Sequence, residues 1–162
     1  MNRLTIEKRV QVISALVEGN SLRSTVRMTG VALNTIQKLM ADLGPACLEY
    51  QDKAMHNLKC KHIQCDEIWQ FCHAKDKNVP ADKKGVFGYG DVWTLVALDA
   101  DTKLVPSFTI GTRSGQTAKR FMDDPASRLA SRVQLTTDGH RAYLEVVEGA
   151  FGICHACEAI RQ

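Results

Sequence analysis

The chain of 162 residues, with 44% hydrophobic and 24% charged residues, is long enough for one good core or for a small domain joined to a medium one. No apolar run approaches the length of a membrane span and no secretory signal opens the sequence, which argues against a membrane protein and predicts a cytoplasmic one. Residues 1–61 hold nine lysines and arginines against five acids, whereas the remainder is close to neutral. That asymmetry favours a polyanion-binding N-terminal part, called the front of the chain below, joined to a second module, called the rear.

The six cysteines raise the alternatives of disulfides or a zinc site. A cytoplasmic location argues against disulfides. A structural zinc site usually needs two C-x-x-C knuckles or a matching histidine pair, and the sequence has one such knuckle, Cys154 with Cys157. We therefore predict reduced cysteines that pack as small hydrophobic side chains.

The front of the chain has apolar residues at helical spacing, interrupted by small residues. Residues 5–18 predict an amphipathic helix that stops at Gly19 and Asn20. Ser21 is the predicted N-cap of a short second helix, and Gly30 provides the turn before a third helix. A short helix, a glycine-containing turn and a second helix with a polar outer face are the layout of a helix-turn-helix.

The polar outer face of the third helix carries the candidate DNA-reading residues. Amide and hydroxyl side chains suit base edges and a lysine suits a phosphate, so the predicted contacts are Asn34, Thr35, Gln37 and Lys38. The alternative is a plain three-helix bundle whose polar face is only solvated. A predicted helix break at Leu43–Pro45 ends this domain at residue 44, and residues 45–60 are the predicted linker.

The stretch "KHIQCDEIWQFCH" predicts the first strand of the rear domain and contains two adjacent acids. Alternation places Glu67 on the face of Ile63 and Cys65, and places Asp66 on the polar face. Asp66 is therefore the acid better suited to a solvated site. Glu67 is predicted to be buried with a hydrogen-bonding or ionic partner, because an unpaired buried carboxylate is costly.

The elements that follow predict a mixed α/β arrangement. A charged, glycine-rich hairpin connection precedes two strands joined at Asp99–Thr102, and then comes a helical segment interrupted at Pro125. The next strand ends at Asp138 and Gly139, before a helix with its apolar side chains on one face. Asp138 alone is readily interpreted as the N-cap of that helix.

A second interpretation of Asp138 depends on strand pairing. If its strand lies beside the first one, Asp66 and Asp138 face one another. Two carboxylates on neighbouring strands suit a hard cation such as Mg²⁺, or Mn²⁺ in its place. A pair of such ions can clamp the attacking and leaving oxygens of a phosphodiester reaction.

Nearly the whole chain, to about Gly152, resembles the insertion-sequence-one family of bacterial DDE transposases. The resemblance is carried by "EKRVQVISALVEGNSLRSTVRMTGV", "IQCDEIWQF", "GDVWTLVALDADTKLVPSF" and "ASRLASRVQLTTDGHRAYLEVVEGAFG". It implies an α+β protein with a helix-turn-helix at 1–44 and a ribonuclease H-like catalytic domain at 61–162. It also implies that Asp66 and Asp138 are the first two catalytic aspartates and bind Mg²⁺. The implied partners are double-stranded DNA, namely the element's terminal repeats and its target, and further copies of the chain in a homo-oligomer on DNA.

The end of the chain departs from that family pattern. The third acid of the family lies on a later helix, in a basic segment of the Tyr-x-Glu-Arg type, whereas the only glutamates after Asp138 are Glu145, Glu148 and Glu158. We therefore expect a catalytic domain that is incomplete at its C-terminus. The two functional hypotheses are a DDE transposase and a truncated, inactive regulator that binds element ends. A mixed α/β protein with capping aspartates and a solvated front is the third alternative.

Overall fold

The computed structural model of the protein describes residues 4–86, 88–138 and 141–151. These residues form an α+β protein with five α-helices and one four-stranded mixed sheet, as the sequence predicts at this coarser level. The chain divides into two compact units, Met1–Ala54 and Met55–Gln162. The boundary between them lies inside the predicted linker at 45–60. No helix among the described residues has the length and apolar character needed to cross a bilayer.

The first unit consists of three helices, α1 (Ile6–Val17), α2 (Leu22–Thr29) and α3 (Leu33–Ala54). The predicted first helix and the Ser21 cap are confirmed, since the Ser21 hydroxyl accepts a hydrogen bond from the Ser24 N–H at 3.2 Å. Gly30 ends α2 with φ of 71°, a left-handed conformation that glycine adopts at little cost. The three helices share a small core centred on Val12, Val31 and Ile36.

The predicted helix break at Leu43–Pro45 is wrong, because α3 continues through Gly44 and Pro45 to Ala54. Proline's fixed φ is compatible with a helix, and its missing N–H removes one hydrogen bond from the ladder. The surrounding residues, among them Ala41, Ala46 and Leu48, are good helix formers that support the turns on either side. The first unit therefore extends beyond residue 44, and the first ten residues of the predicted linker, 45–54, are part of α3.

Buried polar contacts show why the second unit begins near Met55. Arg128 is 8% exposed and makes two hydrogen bonds to the Asp124 carboxylate, each of 2.9 Å. Its guanidinium also donates to the Met55 carbonyl, while the Leu58 N–H donates to the Arg128 carbonyl at 3.0 Å. These bonds attach the connecting segment to the sheet unit.

The sheet of the second unit contains β1 (His62–Cys72), β2 (Gly90–Asp99), β3 (Ser107–Gly111) and β4 (Gln134–Thr137), in the order β3-β2-β1-β4. The pairs β1–β2 and β2–β3 are antiparallel, which confirms both predicted hairpin connections. Two short 3₁₀ turns, Asp76–Asn78 and Ala81–Lys83, lie in the first connection. The pair β1–β4 is parallel, and its crossover contains α4 (Gly115–Arg128). Helix α5 (Arg141–Phe151) follows β4.

The core of the second unit lies between one face of the sheet and the helices α4 and α5. Ile63 and Cys65 of β1 are buried there, as the predicted alternation requires, together with Phe121 of α4 and Tyr143 of α5. The predicted interruption at Pro125 is wrong, since α4 continues to Arg128 with Pro125 buried inside it. Burial of the α4 face offsets the single hydrogen bond that proline cannot make.

Candidate metal and nucleic-acid sites

Asp66, within β1, and Asp138, directly after β4, are neighbours across a pair of parallel strands. The last pair in the β1–β4 register is Cys65 with Thr137. Asp66 and Asp138 are the residues that directly follow this pair, one after Cys65 and the other after Thr137. Neighbouring strands are about 4.8 Å apart, and residues in register on parallel strands share a face. Both aspartates are exposed, and both line one open cleft of about 750 Å³. The strand pairing thus brings together the two acids that the sequence predicts.

The donor atoms of this cleft fit a hard cation. Its lining includes Gln64 and Thr136 beside the two carboxylates, and amide, hydroxyl and carboxylate oxygens are ligands of the kind that Mg²⁺ prefers. One oxygen of Asp66 accepts a hydrogen bond from the Glu67 N–H at 2.7 Å, which orients that carboxylate. Among the described residues, no group of three or more His, Cys, Asp or Glu side chains is arranged to hold a metal ion.

Cys65 precedes Asp66 on β1, but its side chain is buried in the core on the covered face of the sheet. Burial raises the pKa of the Cys65 thiol to about 12, because the thiolate would lose its hydration there. Cys65 is therefore a neutral core side chain. The Cys154 and Cys157 knuckle lies outside the described residues.

Glu67 lies on the opposite face of the sheet and confirms the prediction of a buried, partnered acid. Its side chain is 2% exposed, and its carboxylate accepts a hydrogen bond from Arg113 Nε at 2.9 Å. The side chain of Tyr143, itself buried, interacts electrostatically with the same carboxylate. Burial, followed by the negative charge of Glu67, raises the pKa of Tyr143 above its usual range. Glu67 thus joins β1 to α5 and to the segment before α4.

Sequence reasoning predicts that Glu67 has partners without identifying them. The helical spacing predicts that Tyr143 lies on the apolar face of the last helix. A buried tyrosine hydroxyl usually has a polar partner, so this residue indicates a polar contact on that face. Arg113 follows the third strand and carries no local pattern that points to Glu67. Its position depends on the path of the chain between β3 and α4.

The remaining acids after Asp138 are only partly described. Glu148 is exposed on α5. The Glu145 side chain, the whole of Glu158, and the residues between Asp138 and α5 lie outside the described part of the chain. The prediction that Asp138 caps the last helix depends on those connecting residues.

The predicted DNA-reading residues Asn34, Thr35, Gln37 and Lys38 are all exposed in the first turns of α3, while Ile36 between them is fully buried. They occupy the positive end of the helix dipole, which favours an anion. Two cations were not predicted as contacts: Arg23 and Arg27 are exposed on α2 and lie four residues apart, hence on one face. Their spacing of four residues within a predicted helix was the sequence signal that could have identified them as contacts.

Two other cations of the first unit are used internally. The Lys8 ammonium donates to the Thr29 carbonyl at 2.8 Å, and Arg9 Nε donates to the Leu4 carbonyl at 3.2 Å. These bonds fasten α1 to the end of α2 and to the start of the chain. Net charge alone would count them as nucleic-acid contacts, whereas the structure gives them a role in the fold.

Comparison with known proteins identifies no family for this chain, since no protein-family model matches it and no curated protein does. Its function is therefore argued from the geometry of the two units.

Proposed function

We propose that this chain is a DDE-type transposase of a bacterial insertion sequence, with a DNA-binding front and a metal-binding rear. The observation that carries the proposal is the parallel pairing of β1 with β4. It makes neighbours of Asp66 and Asp138, which are far apart in sequence, at the mouth of one open cleft.

The strand order supports a ribonuclease H-like domain as the finer description of the rear unit. An antiparallel run of three strands is followed, after α4, by a fourth strand that pairs in parallel with the first. That arrangement places one acid within the first strand and the other just after the fourth, as the resemblance to the transposase family implies.

The side chains of the cleft have distinct proposed roles. Asp66 and Asp138 would hold Mg²⁺, or Mn²⁺, and the cation would neutralise charge that develops on a phosphodiester. The hydrogen bond from the Glu67 N–H orients the Asp66 carboxylate. On the covered face, the contacts of Glu67 with Arg113 and Tyr143 hold α5 against β1.

The front unit is the proposed binding site for duplex DNA, in the manner of a helix-turn-helix. Asn34, Thr35 and Gln37 are suited to base edges, and Lys38 to a phosphate. Arg23 and Arg27 extend the exposed positive charge along α2. Phosphate contacts of this kind make the affinity for DNA strongly dependent on salt.

A second candidate function is that of a DNA-binding regulator that occupies element ends without cutting them. The observation that favours it is the composition of the cleft: among the described residues, Asp66 and Asp138 are the carboxylates that line it. Two carboxylates can hold a cation, but a two-ion geometry needs further ligands.

Metal binding and DNA cutting distinguish the two functions. Mn²⁺ binding to the full chain, followed by electron paramagnetic resonance, should be lost in Asp66→Asn and in Asp138→Asn. It should persist in Asp101→Asn, a matched change of an acid in the β2–β3 hairpin. Nicking of supercoiled plasmid with Mg²⁺, abolished by Asp66→Asn, would establish the enzyme. Metal binding without nicking would favour the regulator, and Mn²⁺ binding unaffected by both cleft variants would refute the site.

DNA binding by the front unit is tested separately, with duplex DNA and increasing salt. Lys38→Ala should weaken binding to all sequences and lower the salt slope by about 1, because one phosphate contact is lost. Asn34→Ala and Gln37→Ala should instead reduce the preference among sequences. Binding that is insensitive to salt would remove the helix-turn-helix interpretation.

A further inference from the structure

The second unit has a group of three aromatic side chains on its helix-covered face, where Trp69 and Phe71 are exposed and Trp93 is half-buried at the edge of the core. Trp69 is 39% exposed and Phe71 is 49% exposed, and their ring centroids are 5.7 Å apart. Trp93 of β2 is the direct cross-strand partner of Trp69, so its side chain lies on the same face. These three residues are named the aromatic surface below. Exposed tryptophan and phenylalanine grouped in this way indicate a binding surface.

Cations flank the rings of the aromatic surface. The Lys75 ammonium lies 4.7 Å from the centroid of the Trp69 ring, and the Arg113 guanidinium carbon lies 4.8 Å from that of Trp93. Both distances are within the range of a cation–π interaction. The connection from 73 to 89 adds further positive charge, since it has four lysines and two aspartates. The surface is thus apolar and aromatic at its centre and predominantly positive at its rim.

The connection beside the aromatic surface is held in place by specific contacts. Asp76 and Asp91 each accept a hydrogen bond from the other's backbone N–H, at 2.7 and 3.1 Å. The His73 ring stacks on Tyr89 with centroids 4.5 Å apart. Asp76 and Asp91 therefore serve as anchors of the loop that carries Lys75, while Glu67, on the same face as Trp69, is paired with Arg113.

We propose that the aromatic surface binds an unpaired DNA strand, whose bases stack on Trp69, Phe71 and Trp93 while Lys75 contacts its phosphates. Aromatic side chains bordered by cations are the means by which proteins bind single strands with little sequence preference. Bases in a duplex are already stacked, so their faces are not available to such a surface. The flanking positive charge matches a polyanion better than an uncharged protein surface.

The location suits the proposed function, on which this inference rests. Asp66 and Trp69 are three residues apart on β1, about 10 Å along the strand, and lie on opposite faces. Within the described residues, β4 pairs with β1 over 62–65, so the part of β1 that carries Trp69 has no strand of that sheet on this edge. An unpaired end produced at the Asp66 cleft could pass around this edge to reach the aromatic surface.

The test uses the intrinsic fluorescence of the full chain, whose two tryptophans are both part of the aromatic surface. Oligothymidylate of about 12 nucleotides, a length that matches typical single-strand sites, should quench that fluorescence at low salt. Phe71→Leu keeps both tryptophans and an apolar side chain but removes a stacking ring. It should weaken binding by roughly tenfold, as expected for the loss of one stacked base. Lys75→Ala should weaken binding and reduce its salt dependence.

Matched variants make the outcome decisive. Phe108→Leu removes a ring of similar exposure from the opposite face of the same sheet, and it should leave the affinity unchanged. Lys38→Ala should weaken duplex binding and spare binding of oligothymidylate, so that failure of the front unit and failure of this site are distinguishable. Equal losses in Phe71→Leu and Phe108→Leu, or an absence of quenching, would overturn the proposal. Self-association that Phe71→Leu abolishes, without DNA binding, would also overturn it and assign the surface to a second copy of the chain.

Discussion

Asp66 and Glu67 are adjacent acids on opposite faces of the sheet, and their surroundings differ sharply. Asp66 lies on the open face of the sheet, in a solvated cleft beside Asp138. Glu67 lies on the covered face, beneath Arg113 and beside Tyr143. Neutralising Asp66 on the open face should therefore cost little folding free energy. Neutralising Glu67 on the covered face should cost more, because its buried carboxylate depends on Arg113 and Tyr143. Asp66 thus supplies the exposed carboxylate that metal binding needs, and its neighbour Glu67 supplies the buried carboxylate that stabilises the fold.

The largest expected difference between the faces concerns two phenylalanines. Phe121 is fully buried in the core between α4 and the sheet, whereas Phe108 is 39% exposed on the open face. Phe121→Ala should lower the free energy of unfolding by about 3–5 kcal/mol, because it leaves a cavity. Phe108→Ala should cost less than about 1 kcal/mol. Urea unfolding followed by tryptophan fluorescence measures both, since both tryptophans lie in this unit. Similar losses would contradict the assignment of the faces.

The two adjacent acids themselves provide the next comparison. Glu67→Gln should lower the free energy of unfolding by about 2 kcal/mol, because the charge-assisted bond between the buried carboxylate and Arg113 is weakened. The figure is moderate because Arg113 is half exposed and can be hydrated when its partner is lost. Asp66→Asn should change stability by less than about 0.5 kcal/mol. The same urea experiment tests both, and a larger loss from Asp66→Asn would invert the comparison.

The covered face should also respond to alkaline pH, through Tyr143. Its pKa is raised in the folded state, chiefly by burial and then by Glu67. The unfolded chain releases the tyrosine proton near about pH 10, so the stabilisation is complete below that pH. It is lost as the pH rises toward the folded pKa, by up to about 1.4 kcal/mol per pH unit. Tyr143→Phe should flatten this decline, whereas Tyr50→Phe, an exposed position in α3, should leave it unchanged.

The smallest expected effect is the stabilisation of the open face by a divalent cation. A site of two carboxylates with millimolar affinity, in about 10 mM Mg²⁺, would raise the free energy of unfolding by roughly 1 kcal/mol. The gain should disappear in Asp66→Asn and persist in Glu67→Gln, whose side chain lies on the other face. Thermal unfolding with and without Mg²⁺ provides the measurement. A gain retained by Asp66→Asn would place the cation elsewhere.

Local patterns were sufficient for much of the fold. Helical spacing located α1, the cap at Ser21 and the turn at Gly30, and strand alternation separated Asp66 from Glu67. The same local rules were wrong at Gly44–Pro45 and at Pro125, where helices continue through prolines. A proline costs one backbone hydrogen bond in a ladder of many, and burial of the helix face in α4 outweighs that cost.

The sequence by itself determined the alternation of β1, the two hairpin connections and the residues able to form a site, because these depend on side chains close together in the chain. Only the tertiary structure decided that β4 pairs in parallel with β1, which makes Asp138 the neighbour of Asp66. It also decided that Arg113 and Tyr143 meet at Glu67, and that Trp69, Phe71 and Trp93 lie together on the covered face. Contacts of this kind join segments through strand order and helix packing, which depend on the burial of the whole core and not on the pattern of any one segment.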